Sequence, residues 1–108
     1  MGQVTQYRFR KIPAASYQHA AGDPRPATRY EVLAWEVGSF PTVIGEVASR
    51  SAVSEGRHGR LRYTRSRSGR PTYERHWIAQ HGPHTITRHA YSRQEAAEAL
   101  WAWRQVQQ

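Results

Sequence analysis

The chain has 108 residues, room for one ordinary domain and too little for two. Apolar residues make up 38%, so a core can form but is thin, and four Trp and six Tyr have to supply area that scarce aliphatics do not. Sixteen basic residues face eight acidic ones, a formal charge of +8, and the absence of cysteine excludes disulfides, thiolate zinc sites and Cys nucleophiles.

Fifteen of the sixteen bases are Arg, Lys11 being the lone lysine. A planar guanidinium fork suits phosphates and guanine edges better than an ammonium does. A GC-rich coding sequence would also favour Arg over Lys, but codon bias leaves the excess of positive over negative charge unexplained. The longest apolar stretch, Val32-Leu33-Ala34-Trp35, ends at Glu36 and is far short of a membrane span. The opening Met1-Gly2-Gln3-Val4-Thr5-Gln6 has neither a signal-peptide core nor a myristoylation pattern. The expected location is the cytoplasm, with no membrane partner.

In chain order, residues 3–12 alternate Tyr7 and Phe9 against Arg8 and Arg10, which predicts a strand with one basic face. Residues 13–28 carry Pro13, Gly22, Pro24 and Pro26 among alanines, and predict a loop or arm. Residues 29–37 predict a central strand, with Tyr30, Val32 and Ala34 on one face and Leu33, Trp35 and Val37 on the other. Gly38-Ser39-Phe40-Pro41 reads as a turn, and 42–48 as the returning strand. Gly45 inside that strand points to a bulge or a close backbone approach. Residues 54–72 are polar and punctuated by Gly56, Gly59, Gly69 and Pro71; within them 60–66 alternates as a third strand or forms a mobile basic loop. Residues 73–80 and 84–91 flank His81-Gly82-Pro83, a compact hairpin.

The C-terminal helix has the clearest signature. Ser92-Arg93-Gln94-Glu95 is a capping box, Ser92 capping an orphan amide and Glu95 reaching back. Ala96, Ala99, Leu100 and Trp103 then recur at helical spacing, and the helix is expected over 92–106. Trp101 lies about 200° around the helix from Trp103, so the two cannot share a face. Trp103 is expected to be the core anchor.

Chemistry is concentrated in residues 57–75, where Arg57, Arg60, Arg62, Arg65, Arg67, Arg70 and Arg75 meet a single acid, Glu74. Tyr63, Tyr73, His58 and His76 are interleaved with them. Repeated cationic donors suit backbone phosphates and aromatics can stack on exposed bases, whereas so many like charges repel unless a partner neutralises them. His76, His81, His84 and His89 lie on or beside the hairpin, and His76 and His84 could face each other across it. No thiolate or nearby Asp completes a tetrahedral zinc set, and neither metal nor cofactor is expected. Asp23 is the only Asp, Glu31 and Glu36 fall on different strand faces, and no nucleophile elbow or phosphate loop is present. The expected protein is not an enzyme.

Trp77-Ile78-Ala79, the hairpin, and then Tyr91-Ser92-Arg93-Gln94-Glu95-Ala96-Ala97-Glu98-Ala99 are similar to AP2-like domains and to the arm-binding N-terminal domains of phage-type integrases. The likeness covers roughly residues 60–104, lacks the strand-one motif usual there, and has no counterpart in the first half. It implies a three-stranded sheet entering the DNA major groove, with Arg62, Arg65, Arg75, Trp77 and Arg88 on or near the DNA-facing strands. A small, Arg-rich, cysteine-free chain of this kind also resembles accessory proteins of actinobacterial phages.

Together these readings give one α+β domain over 1–108: an N-terminal strand and Pro/Ala-rich arm (1–28), an antiparallel sheet of four or five strands (29–91, with the basic loop 54–72), and a helix packed on one sheet face. The expected function is non-catalytic nucleic-acid binding, DNA before RNA, in a regulatory role. The alternative is a phage-type interaction module that binds and perturbs an acidic host protein, since Tyr and Arg are also enriched in protein hot spots. The cap makes one prediction. Ser92→Ala should lower stability by about 0.5–2 kcal/mol, read from thermal melts; an unchanged melting temperature would place the helix start elsewhere.

Overall fold

The computed structural model describes residues 5–14, 19–53 and 73–107. Five strands, β1 (Thr5–Ile12), β2 (Arg29–Glu36), β3 (Thr42–Val53), β4 (Tyr73–His81) and β5 (His84–Ala90), precede one helix, α1 (Arg93–Gln107). The strands form a single antiparallel meander in the order β1-β2-β3-β4-β5. The fold is therefore α+β, and the strands predicted at 3–12, 29–37, 42–48, 73–80 and 84–91 are present with the helix. β3 runs five residues further than 42–48, to Val53, and pairs with β4 as far as Val53 opposite Tyr73. Residues 49–53 and 73–77 thus pair beyond the first residue of β2, Arg29, which pairs with Ala48, and form a ribbon there.

Register and alternation sort the side chains into two faces. The covered face carries Tyr7 and Phe9, then Val32 and Ala34, Val47, Ala79 and Ala90, and meets Ala96, Ala97 and Leu100 of α1. Phe9, Tyr30 and Trp77 cross this face as a row of rings, with centroids 6.1 Å apart in both adjacent pairs. The Arg93 guanidinium roofs the row, 4.3 Å from the Phe9 ring centre and 4.7 Å from that of Tyr30. Large rings with a cation over them stand in for aliphatic volume that the sequence lacks.

The helix seats at a bulge. Val32 pairs with Gly45 but Leu33 with Val43, so Ile44 is an extra residue on β3. Strict alternation from buried Val47 would send Ile44 outward; the bulge turns it into the core and leaves Val43 exposed. Gly45 has φ +149°, and a Cβ there would collide with the Gln80 carbonyl and lie 2.9 Å from Leu100 Cδ2. The His81 ring satisfies the bulge's Ile44 carbonyl, Nδ1 donating at 3.0 Å.

The cap forms as predicted on its first arm: the Glu95 amide donates to Ser92 Oγ at 3.0 Å. The Glu95 carboxylate reaches one residue further back than the cap amide, accepting from Tyr91 N at 2.6 Å. The apolar stripe differs from the expected one. Ala96, Ala97 and Leu100 are buried with Trp101 against the core, whereas Trp103 packs on His81 and His84, ring centres 4.9 and 5.6 Å away. The sheet lies beside two turns of helix more broadly than one heptad seam allows, so both tryptophans find cover. Among the described residues no helix is long and apolar enough to cross a membrane.

Gly45→Ala combines a disfavoured backbone with a close approach, whereas Gly82→Ala has only positive φ, with nothing within 4 Å. Strained backbone alone costs about 1–3 kcal/mol, so denaturant unfolding should show Gly45→Ala destabilised clearly beyond Gly82→Ala. Equal losses would mean that the helix does not sit down on Gly45.

Candidate nucleic-acid interface

The arm predicted at 13–28 is anchored through residues 19–28, which lie back over the ribbon on the side that faces α1. Thr28 N donates to Ser49 Oγ at 2.9 Å, and Ser49 N donates to the Thr28 carbonyl at 2.8 Å. Ser51 Oγ donates to Asp23 Oδ2 at 2.6 Å, and the Asp23 side chain is fully enclosed. Arg25 closes the turn, its backbone amide donating to Asp23 Oδ1 at 3.0 Å and its guanidinium to both carboxylate oxygens at 3.2 and 3.1 Å. Those bonds from Arg25 hold the Asp23 carboxyl well below the usual carboxylate range; the Ser51 hydroxyl adds to this and burial opposes it.

This arrangement decides where the candidate residues go. Arg57, Arg60, Arg62, Arg65, Arg67 and Arg70, and the third-strand reading of 60–66, lie outside the described residues. Arg75 is taken up by the fold: its Nη2 donates to the Pro26 carbonyl and, at 3.3 Å, to Ser49 Oγ. Trp77 is half-buried against the core beside Tyr30. Arg88 is exposed on the edge strand β5. Arg75 and Trp77 thus share the covered face.

The face without a helix gathers a different set. Register places Arg8 and Arg10 of β1, Arg29 and Trp35 of β2, Arg50 of β3 and His76 of β4 on it. Arg10 pairs with Glu31, and Arg29 with Glu46 through Nη2 and through Nε at 3.0 Å. Arg8 lies over the Trp35 ring at 5.9 Å. Towards the ribbon, Arg50 sits directly opposite His76. The His76 ring meets His89 at 5.7 Å and Tyr91 at 5.5 Å, both edge-on. Arg50, His76 and Tyr91 therefore form one row across β3, β4 and the end of β5.

His76 and His84, which the spacing allowed to face each other, do not meet. His81 is opposite His84 at the turn, while His76 meets His89 near the other end of the hairpin. Mirror pairing about the turn already sets His76 towards His89, each five residues from the His81–His84 pair, and the two register shifts, after Trp77 and after Ala79, bring Ala90 opposite Trp77. Among the described residues no group of three His, Cys, Asp or Glu is placed to hold a metal ion.

Arg8 and Arg10 were visible in the sequence as a basic strand face. Arg50 and Tyr91 were not singled out, because nothing local distinguishes them; only the long β3–β4 pairing aligns them with His76. No protein-family model, curated protein or solved structure matches the chain.

The latch predicts a pH response. Asp23 ionises more readily folded than unfolded, so its contribution is complete above the ordinary carboxylate value and is lost as pH falls through the depressed folded value. Asp23→Asn should melt below the parent chain at neutral pH, and the gap should narrow under strongly acidic conditions. A gap independent of pH would show that packing, and not the charge on Asp23, holds the arm.

Proposed function

We propose that this protein is a non-catalytic nucleic-acid-binding protein, DNA foremost, acting in a regulatory or accessory capacity. The observation that carries the reading is the helix-free sheet face, where Arg8, Arg10 and Arg50 share a surface with Trp35, His76, His89 and Tyr91. Residues 54–72 join the paired ends of the ribbon, Val53 and Tyr73, and carry Arg57, Arg60, Arg62, Arg65, Arg67 and Arg70 against Glu55. The strand ends that this segment joins lie three residues from Arg50 and His76. Phosphate attraction needs only charge and reach, whereas cationic side chains fixed on strands orient the backbone they attract. Arg75 belongs to the fold and is set apart from the contact.

A second reading, capture of an acidic protein partner, draws on the opposite end of the molecule. The β2–β3 turn leaves Phe40 91% and Val37 64% exposed. Beside them Trp35, Trp101 and Arg104 line a cleft of about 270 Å³. Exposed aromatic area next to a cation is the composition of a protein hot spot.

Salt separates the two. Affinity for a mixed-sequence duplex should fall linearly in log–log terms as salt rises, with slope reduced by roughly 0.9 for each phosphate contact removed. Replacing Arg62, Arg65 and Arg67 together by Gln, or Arg8 and Arg50 together by Gln, should lower both affinity and slope while the melting temperature holds. Undetectable affinity at low salt would reject nucleic-acid binding in favour of a protein partner.

A further inference from the structure

The row Arg50–His76–Tyr91 has a property that phosphate attraction does not require. Tyr91 is 79% exposed, yet it is not a loose side chain. Its backbone amide is fixed by the Glu95 carboxylate at 2.6 Å, at the mouth of the helix cap. Its ring is braced by His76, whose own ring is braced by His89. An aromatic ring held from one edge, with most of its surface open to water, is a preorganised stacking platform; the ordering that stacking demands has already been met by the fold. Arg50 lies opposite His76 on β3, on the side away from Tyr91, and supplies a cation for the phosphate of a nucleotide that stacks there.

Resting on the nucleic-acid reading above, we propose that the ligand of this face is single-stranded, with an unpaired base stacked on Tyr91 and His76 and its backbone passing Arg50. The choice of single strand over duplex follows from what a ring can reach. Inside a duplex both faces of every base are covered by neighbours, and only edges are presented, which are read by hydrogen-bonding forks. A ring face contributes only when a base is splayed out of its stack. The row offers two imidazoles and a phenol ring, with one guanidinium at its side, so its chemistry fits base faces and a phosphate better than base edges. Stacking of this kind is tolerant of sequence, since every base has such a face.

The test compares a fluorescently labelled oligothymidylate with a duplex of equal length, by anisotropy at matched salt, using the full chain. The single strand should bind more tightly. Tyr91→Ala should weaken it by roughly tenfold with an unchanged salt slope, because a stacking contact and no phosphate contact is lost. Tyr91→Phe should retain affinity, and Glu95→Ala, which frees the Tyr91 backbone, should fall between. A 2-aminopurine placed in the oligonucleotide should be quenched by the parent chain and less so by Tyr91→Ala. Tighter binding to duplex, or single-strand affinity indifferent to Tyr91→Ala in a protein that melts normally, would overturn the platform while leaving nucleic-acid binding standing. Failure to bind either probe at low salt would overturn both.

Discussion

The contact on which the rest of the structure depends is the seat of Leu100 against Gly45. A single helix must cover a five-stranded sheet whose facing residues are mostly alanine and valine, so helix and sheet have to approach closely to exclude water. Gly45 has no side chain to hold them apart, and its bulge swings Ile44 inward to join Leu100, Val32 and Val47 as the largest fully buried side chains. The bulge leaves a carbonyl without a ladder partner, and His81 supplies the donor. Trp103 packs on His81 in turn. One irregularity in β3 thus fixes the depth of the helix, the direction of Ile44 and the place of the second tryptophan.

A sheet this wide is not covered by one helix. The ribbon end of the covered face lies beyond α1, and there the buried residues are Ser49, Ser51 and Asp23. Burying them would be costly were they not bonded to one another and to the arm's backbone. The polar latch is therefore the complement of a thin core: where apolar area runs out, a dense set of short-range hydrogen bonds closes the fold. Its geometry also explains why Arg75 faces inward. The arm presents the Pro26 carbonyl to it, and a guanidinium satisfied by backbone is withdrawn from partners in solution.

Among the described residues, neither the helix nor the arm lies on the other face. Two of its arginines are engaged by Glu31 and Glu46, which trims the charge at the middle of the face and leaves cationic and aromatic groups towards its two ends. At one end Arg8 lies over Trp35; at the other, Arg50 of β3 faces His76 of β4, with Tyr91 against the His76 ring. The helix cap links this second end to the core, since Glu95 fixes both the start of α1 and the Tyr91 backbone.

The sequence by itself determined what depends on near neighbours. The alternation of Tyr7 and Phe9 with Arg8 and Arg10 set a strand with one basic face, Ser92 and Glu95 set the helix start, and Gly45 marked the bulge. These are legible because period, cap and glycine freedom act within a few residues. The tertiary structure alone decided what depends on register. Arg50 became a site residue because β3 continues to Val53 and aligns it with His76, and Arg75 became a structural one because the arm returned to meet it. Trp101 and Trp103 were divided between core and histidine turn by the width of the sheet beneath them. A partner from a distant strand leaves no local mark, since pairing is selected by the summed fit of whole elements and not by the residues that happen to meet.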